Sequence, residues 1–116
     1  MITTSLSDLP WESVSHNNAI KKQVFLRNGE LGPITQLARA VFKPGDIAPG
    51  HAHLDMGEVF VVLTGTLTIR VDGETTVHSA GTCLALPPGE NHELSNETEG
   101  ELAIMTLGVR MEEISS

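Results

Sequence analysis

The sequence predicts an all-β chain of short antiparallel strands, arranged as a sandwich or a barrel. Three observations predict it. Glycines fall at Gly57, Gly65, Gly73, Gly81 and Gly89, one every eight residues, which is the spacing of turns between short strands. LTIRV (residues 67–71) alternates apolar and polar side chains and runs into Asp72-Gly73, a hairpin turn pair. Helix signals are weak throughout, so any helix belongs to the first twenty residues or the last eight. The segments between the glycines do not resemble one another, which makes the period one of turns and not of an internal repeat.

Along the chain, VFLR (24–27) reads as the end of a strand closed by the turn pair Asn28-Gly29. QLARAVF (36–42) is a strand stopped by Pro44-Gly45. EVFVVL (58–63) says more. Beyond Glu58 it is apolar on both faces, with Phe60 and Val62 on the glutamate's side and Val59, Val61 and Leu63 on the other. A strand that faces water on one side alternates, so both faces of this one need cover. One lines the interior; the other takes a second layer or another subunit, and a homodimer is expected on that ground. LAIMTL (102–107) is a further buried strand.

The length of 116 residues suits one domain, 1–116, with an N-terminal arm over about residues 1–20. Seven basic against fifteen acidic side chains give a formal charge of −8, and no basic run exceeds Lys21-Lys22. Phosphate recognition needs clustered positive charge, so neither nucleic acid nor an anionic membrane is expected as a partner. The single cysteine, Cys83, sits among apolar neighbours and reads as a small buried side chain. The N-terminal segment has no basic and apolar regions of a secretory signal, and no apolar run approaches the ~18 residues of a membrane span. A soluble, cytoplasmic protein is expected.

HAHLDMGE (51–58) gathers two histidines and a glutamate. In an extended segment His51 and His53 project to one face with attachment points ~6.6 Å apart. From there two imidazoles can converge on one ion through bonds of ~2.1 Å. Asp55-Met56-Gly57 can fold the chain back so that Glu58 joins them. This trio fits either a metal site or a polar loop with solvated histidines, and a fourth ligand decides between the two. His92 is the candidate, because the prolines and glycine of PPGENHELSN make a tight turn that can pack its strand beside the first. His16, in a polar segment, and His78, in a turn-like stretch, read as surface residues.

At these residues the sequence resembles the cupins. Their first motif appears as Gly45-DIAPG-His51-Ala-His53-LDMG-Glu58-VFVVLT-Gly65, and the second as Gly81-TCLAL-Pro87-Pro88-Gly89-EN-His92-ELS-Asn96. All ten fixed positions match, spanning residues 45–65 and 81–96. At roughly one in twenty per residue type, ten such matches arise by chance with a frequency of about 10⁻¹³. The resemblance implies a jelly-roll β-barrel of two antiparallel sheets. It also implies that His51, His53, Glu58 and His92 hold one divalent metal ion. Gly45, Gly65, Gly81 and Gly89 are then turn residues, and Asn96 is structural.

Three neutral imidazoles and one carboxylate leave a divalent ion with a net charge of about +1, which favours a small anionic chelating ligand such as a carboxylate, enediolate or phenolate. Four protein ligands leave two positions open on an octahedral ion and none on a tetrahedral one. Fe²⁺ is favoured; Mn²⁺, Ni²⁺, Zn²⁺ and Cu²⁺ accept the same donors. The leading expectation is a small-molecule metalloenzyme, dioxygenase-like or using the ion as a Lewis acid. The alternatives are a metal-dependent sensor without chemistry and a cupin whose ion is purely structural. They draw support from the poverty of proton-transfer groups: Asp55 and Glu90 read as solvated loop residues, and alternation turns Glu93 away from His92. Cupin epimerases acting on sugar nucleotides use a tyrosine, and this chain has none.

For the substrate pocket, Phe60 and Val62 share Glu58's face. Gln36 and Phe42 lie on one face of the preceding strand and Arg39 on the other, with the inward face left open. Leu84 and Met105 complete the wall or simply pack in the core.

Overall fold

The computed structural model describes residues 1–15 and 17–111, and of His51 the backbone alone. Among the described residues a 3₁₀ turn, Leu6–Asp8, is followed by ten strands. These are β1 (Glu12–Val14), β2 (Asn17–Arg27), β3 (Ile34–Phe42), β4 (Ile47–His51) and β5 (Met56–Thr64), then β6 (Thr66–Val71), β7 (Glu74–Ser79), β8 (Cys83–Leu86), β9 (His92–Ser95) and β10 (Leu102–Arg110). They form a six-stranded sheet in the order β1-β2-β3-β10-β5-β8 and a four-stranded sheet in the order β4-β9-β6-β7. Every pairing is antiparallel. This is the jelly roll implied by the motifs. Among the described residues no helix is long and apolar enough to cross a membrane.

The two sheets close on one apolar core built by alternation. β2 contributes Ile20, β3 Ala40 and Phe42, β5 Phe60 and Val62, β6 Leu67 and Ile69, β9 Leu94, and β10 Leu102 and Ile104. The predicted hairpin joins β6 to β7: Val71 pairs with Glu74, and Asp72 and Gly73 both have positive φ, at 48° and 85°. That is the primed turn whose twist matches the flanking strands. The motif glycines Gly45, Gly65, Gly81 and Gly89 also have positive φ, as turn residues.

Strand β2 explains how the N-terminal arm is held. Ile20 and Val24 face the core, so Gln23 points to the outer side, where it is nevertheless buried. Its Nε2 donates to the carbonyls of Leu6 and Leu9, both at 3.0 Å, pinning the 3₁₀ turn across the sheet. Arg39, on the same outer face, stacks over Trp11 at 6.0 Å from the ring centroid.

Two expectations are corrected. Cys83 is exposed, not buried. β8 is an edge strand whose Leu84 and Leu86 turn inward, which leaves Cys83 and Ala85 on the outer side. His78 lies in strand β7 and not in a turn; it is half-buried beside Leu67, with Nε2 2.9 Å from Thr76 Oγ1. Strand β5 is covered most fully on its inner side. Phe60 and Val62 are buried, Val59 and Val61 are half-buried, and Leu63 is 43% exposed. His16 falls outside the described residues.

Candidate metal centre

The two motifs bring their polar residues together across the sandwich. Glu58 stands on β5 of the six-stranded sheet and His92 on β9 of the four-stranded sheet. His92 Nε2 lies 3.3 Å from Glu58 Oε1, with the imidazole 6% and the carboxylate 18% exposed. The other ring nitrogen, Nδ1, donates to the carbonyl of Glu90 at 3.3 Å. That bond fixes the ring and turns Nε2 toward the carboxylate, the arrangement by which an outer hydrogen bond orients a ligating histidine. Phe60 packs against the imidazole with ring centroids 5.7 Å apart.

The Glu58 hydrogen bond raises the His92 pKa above the usual imidazole value. Burial opposes it, and the charges of Glu58 and Glu90 with the Glu90 carbonyl add to it. A divalent cation bound between the two groups would compete with a proton on His92.

The first motif reaches this point through backbone pairing. His51 ends β4 directly opposite His92 on β9. The approach depends on Gly50, where a Cβ would lie 2.8 Å from Asn91 Oδ1 and 3.2 Å from the His92 carbonyl oxygen. The His53 carbonyl accepts from Gly89 N at 2.7 Å, which ties the HxH segment to the turn before His92. His53, Glu58 and His92 line one cavity of about 320 Å³. Among the described residues no group of three or more His, Cys, Asp or Glu is arranged to hold a metal ion. The side chain of His51 lies outside them. The donors fit a divalent ion in kind: a buried imidazole with its Nε2 presented, a carboxylate in contact with it, and a second imidazole on the same cavity.

Of the pocket residues expected from alternation, Gln36, Phe42 and Phe60 line this cavity, so the even positions of β3 face inward and Arg39 outward. Three others do not line it. Val62 is fully buried in the core and Leu84 packs against that core. Met105 pairs with Arg39 and Val61, which places it on the outer face; Ile104 and Thr106 line the wall instead. Glu93 turns outward to an ion pair with Arg70 at 3.2 Å, and Asp55 is exposed, as alternation and loop composition suggest.

Gly108 and Lys22 are among the wall residues not expected from the sequence. Gly108 sits between Gln36 of β3 and Glu58 of β5 in one row of paired residues. Thr35 and Met56 pack over this glycine: a Cβ would collide with Thr35 Oγ1 and come within 3.2 Å of Met56 Sδ. Lys22 also lines the cavity. Its signal was present in the alternation Ile20-Lys22-Val24, whose outer members are core residues.

Residues 38–108, well over half of the chain, match the family model described as Cupin domain. The chain belongs to the cupin family, whose members commonly bind a divalent metal. It is 26% identical over 92 residues to gentisate 1,2 dioxygenase 1 of Aquipseudomonas alcaligenes, an alignment covering 74% of this chain and 26% of that relative. The chain thus spans about a quarter of the relative's length.

Among solved structures it superposes on a predicted oxalate decarboxylase of Thermotoga maritima with TM-score 0.86 and 18% identity, over 94% of this chain and 99% of the other. A sugar phosphate isomerase of the cupin superfamily from Silicibacter pomeroyi gives TM-score 0.80 and 19% identity, covering 94% and 76%. An RmlC-like cupin of Shewanella frigidimarina gives 0.77 and 20%, covering 95% and 91%. At these identities the likeness establishes the fold.

Proposed function

We propose that this cupin is a metal-dependent enzyme acting on a small anionic molecule, with His51, His53, Glu58 and His92 holding one divalent ion. The observation that carries the reading is the contact between Glu58 and His92, two side chains from opposite sheets that meet at the wall of a largely apolar cavity. When bound, the ion supplies Lewis-acid polarisation or oxygen activation, with Fe²⁺ the first candidate. The chain's own residues do the rest. Glu90's carbonyl orients His92, Phe60 keeps water from its ring, and Phe42, Ile104 and Leu94 form an apolar wall that strengthens electrostatic contacts with a bound anion. The gentisate dioxygenase relative supports an oxygenase in particular.

Co²⁺ titration followed by visible absorption tests the site. One equivalent is expected to bind to the wild type, and the Glu58→Gln and His92→Ala variants are expected to lose at least 100-fold in affinity while keeping their folded far-UV spectra. Undiminished binding in both variants would remove these residues from the site. Catalysis is read separately, as oxygen consumption by the Fe²⁺-loaded protein with enols, diketones, thiols and aromatic acids. Tight binding of such acids with no turnover favours the sensor alternative.

A homodimer is part of the same reading, because Val59, Val61 and Leu63 form an apolar outer strip that water would otherwise face. Light scattering at micromolar concentration is expected to give twice the 12.4 kDa chain mass. The monomer mass would reject it.

A further inference from the structure

Lys22 occupies an unusual place. Its neighbours on the same face of β2, Ile20 and Val24, are 0% and 4% exposed, so the lysine points inward where the pattern calls for an apolar residue. It pairs with Ala40 on β3, and its ammonium extends along that strand to Gln36, with Nζ donating to Oε1 at 3.2 Å. Both residues line the cavity, and Lys22 is the one lysine or arginine among the described residues that do so. The carboxylate opposite Lys22 across the β1–β2 pairing, Glu12, makes its ion pair with Arg27 and meets the Lys22 charge only through space. The Lys22 charge therefore has a neutral amide, and not a carboxylate, as its hydrogen-bond partner at the cavity wall.

The row Gln36–Gly108–Glu58 sets the distance between the two polar ends. Two strand spacings separate Gln36 from Glu58, roughly 10 Å between backbones, with Gly108 paired between them. We propose that Lys22, held by Gln36, binds a second anionic group of the substrate, so that the cavity selects small molecules with a carboxylate at the end remote from Glu58 and His92. This rests on the proposed function for the position of the first anionic group. The second anchor rests on Lys22 alone.

Glutarate and pentanoate test it, being equal in length and differing in one terminal carboxylate. Each is titrated calorimetrically into Co²⁺-loaded protein and, by NMR shift perturbation, into metal-free protein. The wild type is expected to bind glutarate at least tenfold more tightly, Lys22→Met to bring the ratio below threefold, and Lys22→Arg to retain it. The Lys22→Met variant is expected to bind Co²⁺ as the wild type does. Equal affinity for the two acids in the wild type, no binding of either, or an undiminished ratio in Lys22→Met overturns the proposal. Failure of Co²⁺ to bind overturns the metal reading instead, and the ratio in metal-free protein still decides the role of Lys22.

Discussion

Replacing Asn96 by leucine is expected to destabilise the protein by about 3–4 kcal/mol, a loss read from the urea midpoint at constant slope. Asn96 is fully buried, and its amide makes four hydrogen bonds. Nδ2 donates to the carbonyls of Phe42 at 3.0 Å and Gly100 at 2.8 Å. Oδ1 accepts from Thr98 N at 3.0 Å and Thr98 Oγ1 at 2.7 Å. Its backbone joins the same junction, accepting from Gly45 N and donating to the Asp46 carbonyl.

The side chain thus ties the end of β3 to the loop leading to β10, and the backbone of the same residue holds the turn leading into β4. Leucine keeps the volume and removes every one of these amide bonds, and a typical net value of ~1 kcal/mol per bond sets the estimate. Against a total stability of roughly 5–15 kcal/mol, that is a large share. A loss below 1 kcal/mol would show that the junction holds without its amide.

Gly65→Ala is expected to cost about 3–5 kcal/mol, for two separable reasons. Gly65 turns the chain from β5 of one sheet into β6 of the other with φ of +84°, a conformation unfavourable to any residue with a Cβ. A Cβ there would also collide with the Glu101 carbonyl oxygen and stand 3.1 Å from Leu102 Cα, both backbone atoms that cannot rotate away. Gly73→Ala isolates the first reason, because its φ is +85° and nothing lies within 4 Å of the added carbon. That variant is expected to lose about 1 kcal/mol. Equal losses in the two variants would mean that the contact with Glu101 and Leu102 is relieved by a backbone shift.

The sequence spoke most clearly where a local pattern has one structural solution. Asp72-Gly73 closes its hairpin because few pairs other than Asn-Gly or Asp-Gly suit two positive φ values in a row. The strands at 36–42, 58–63, 67–71 and 102–107 were legible because their inward positions are apolar. β7 was not, since ETTVHS pairs with β6 alone at the edge of its sheet and carries mostly exposed side chains. β4 was hidden by Pro49-Gly50, residues that read as a turn but serve the close approach to β9. At the cavity, alternation put Phe60 on Glu58's face and grouped Gln36 with Phe42, but it left open which face of their strand turns inward. Met105 was misplaced because its apolar character is the same whichever sheet face it occupies. Lys22 was passed over because a lysine in a strand is usually assigned to solvent, and only the burial of Ile20 and Val24 fixes its direction.

The exposure of Cys83 gives the molecule a practical handle. As the chain's only thiol, standing on the outer side of edge strand β8, it accepts a single maleimide fluorophore on the wild-type sequence. The dye would stand beside Val61, across the sheet from the cavity wall. Val61 belongs to the strip proposed for the homodimer, so pairing would shield Cys83, and the labelling rate would report on that face and not on the cavity.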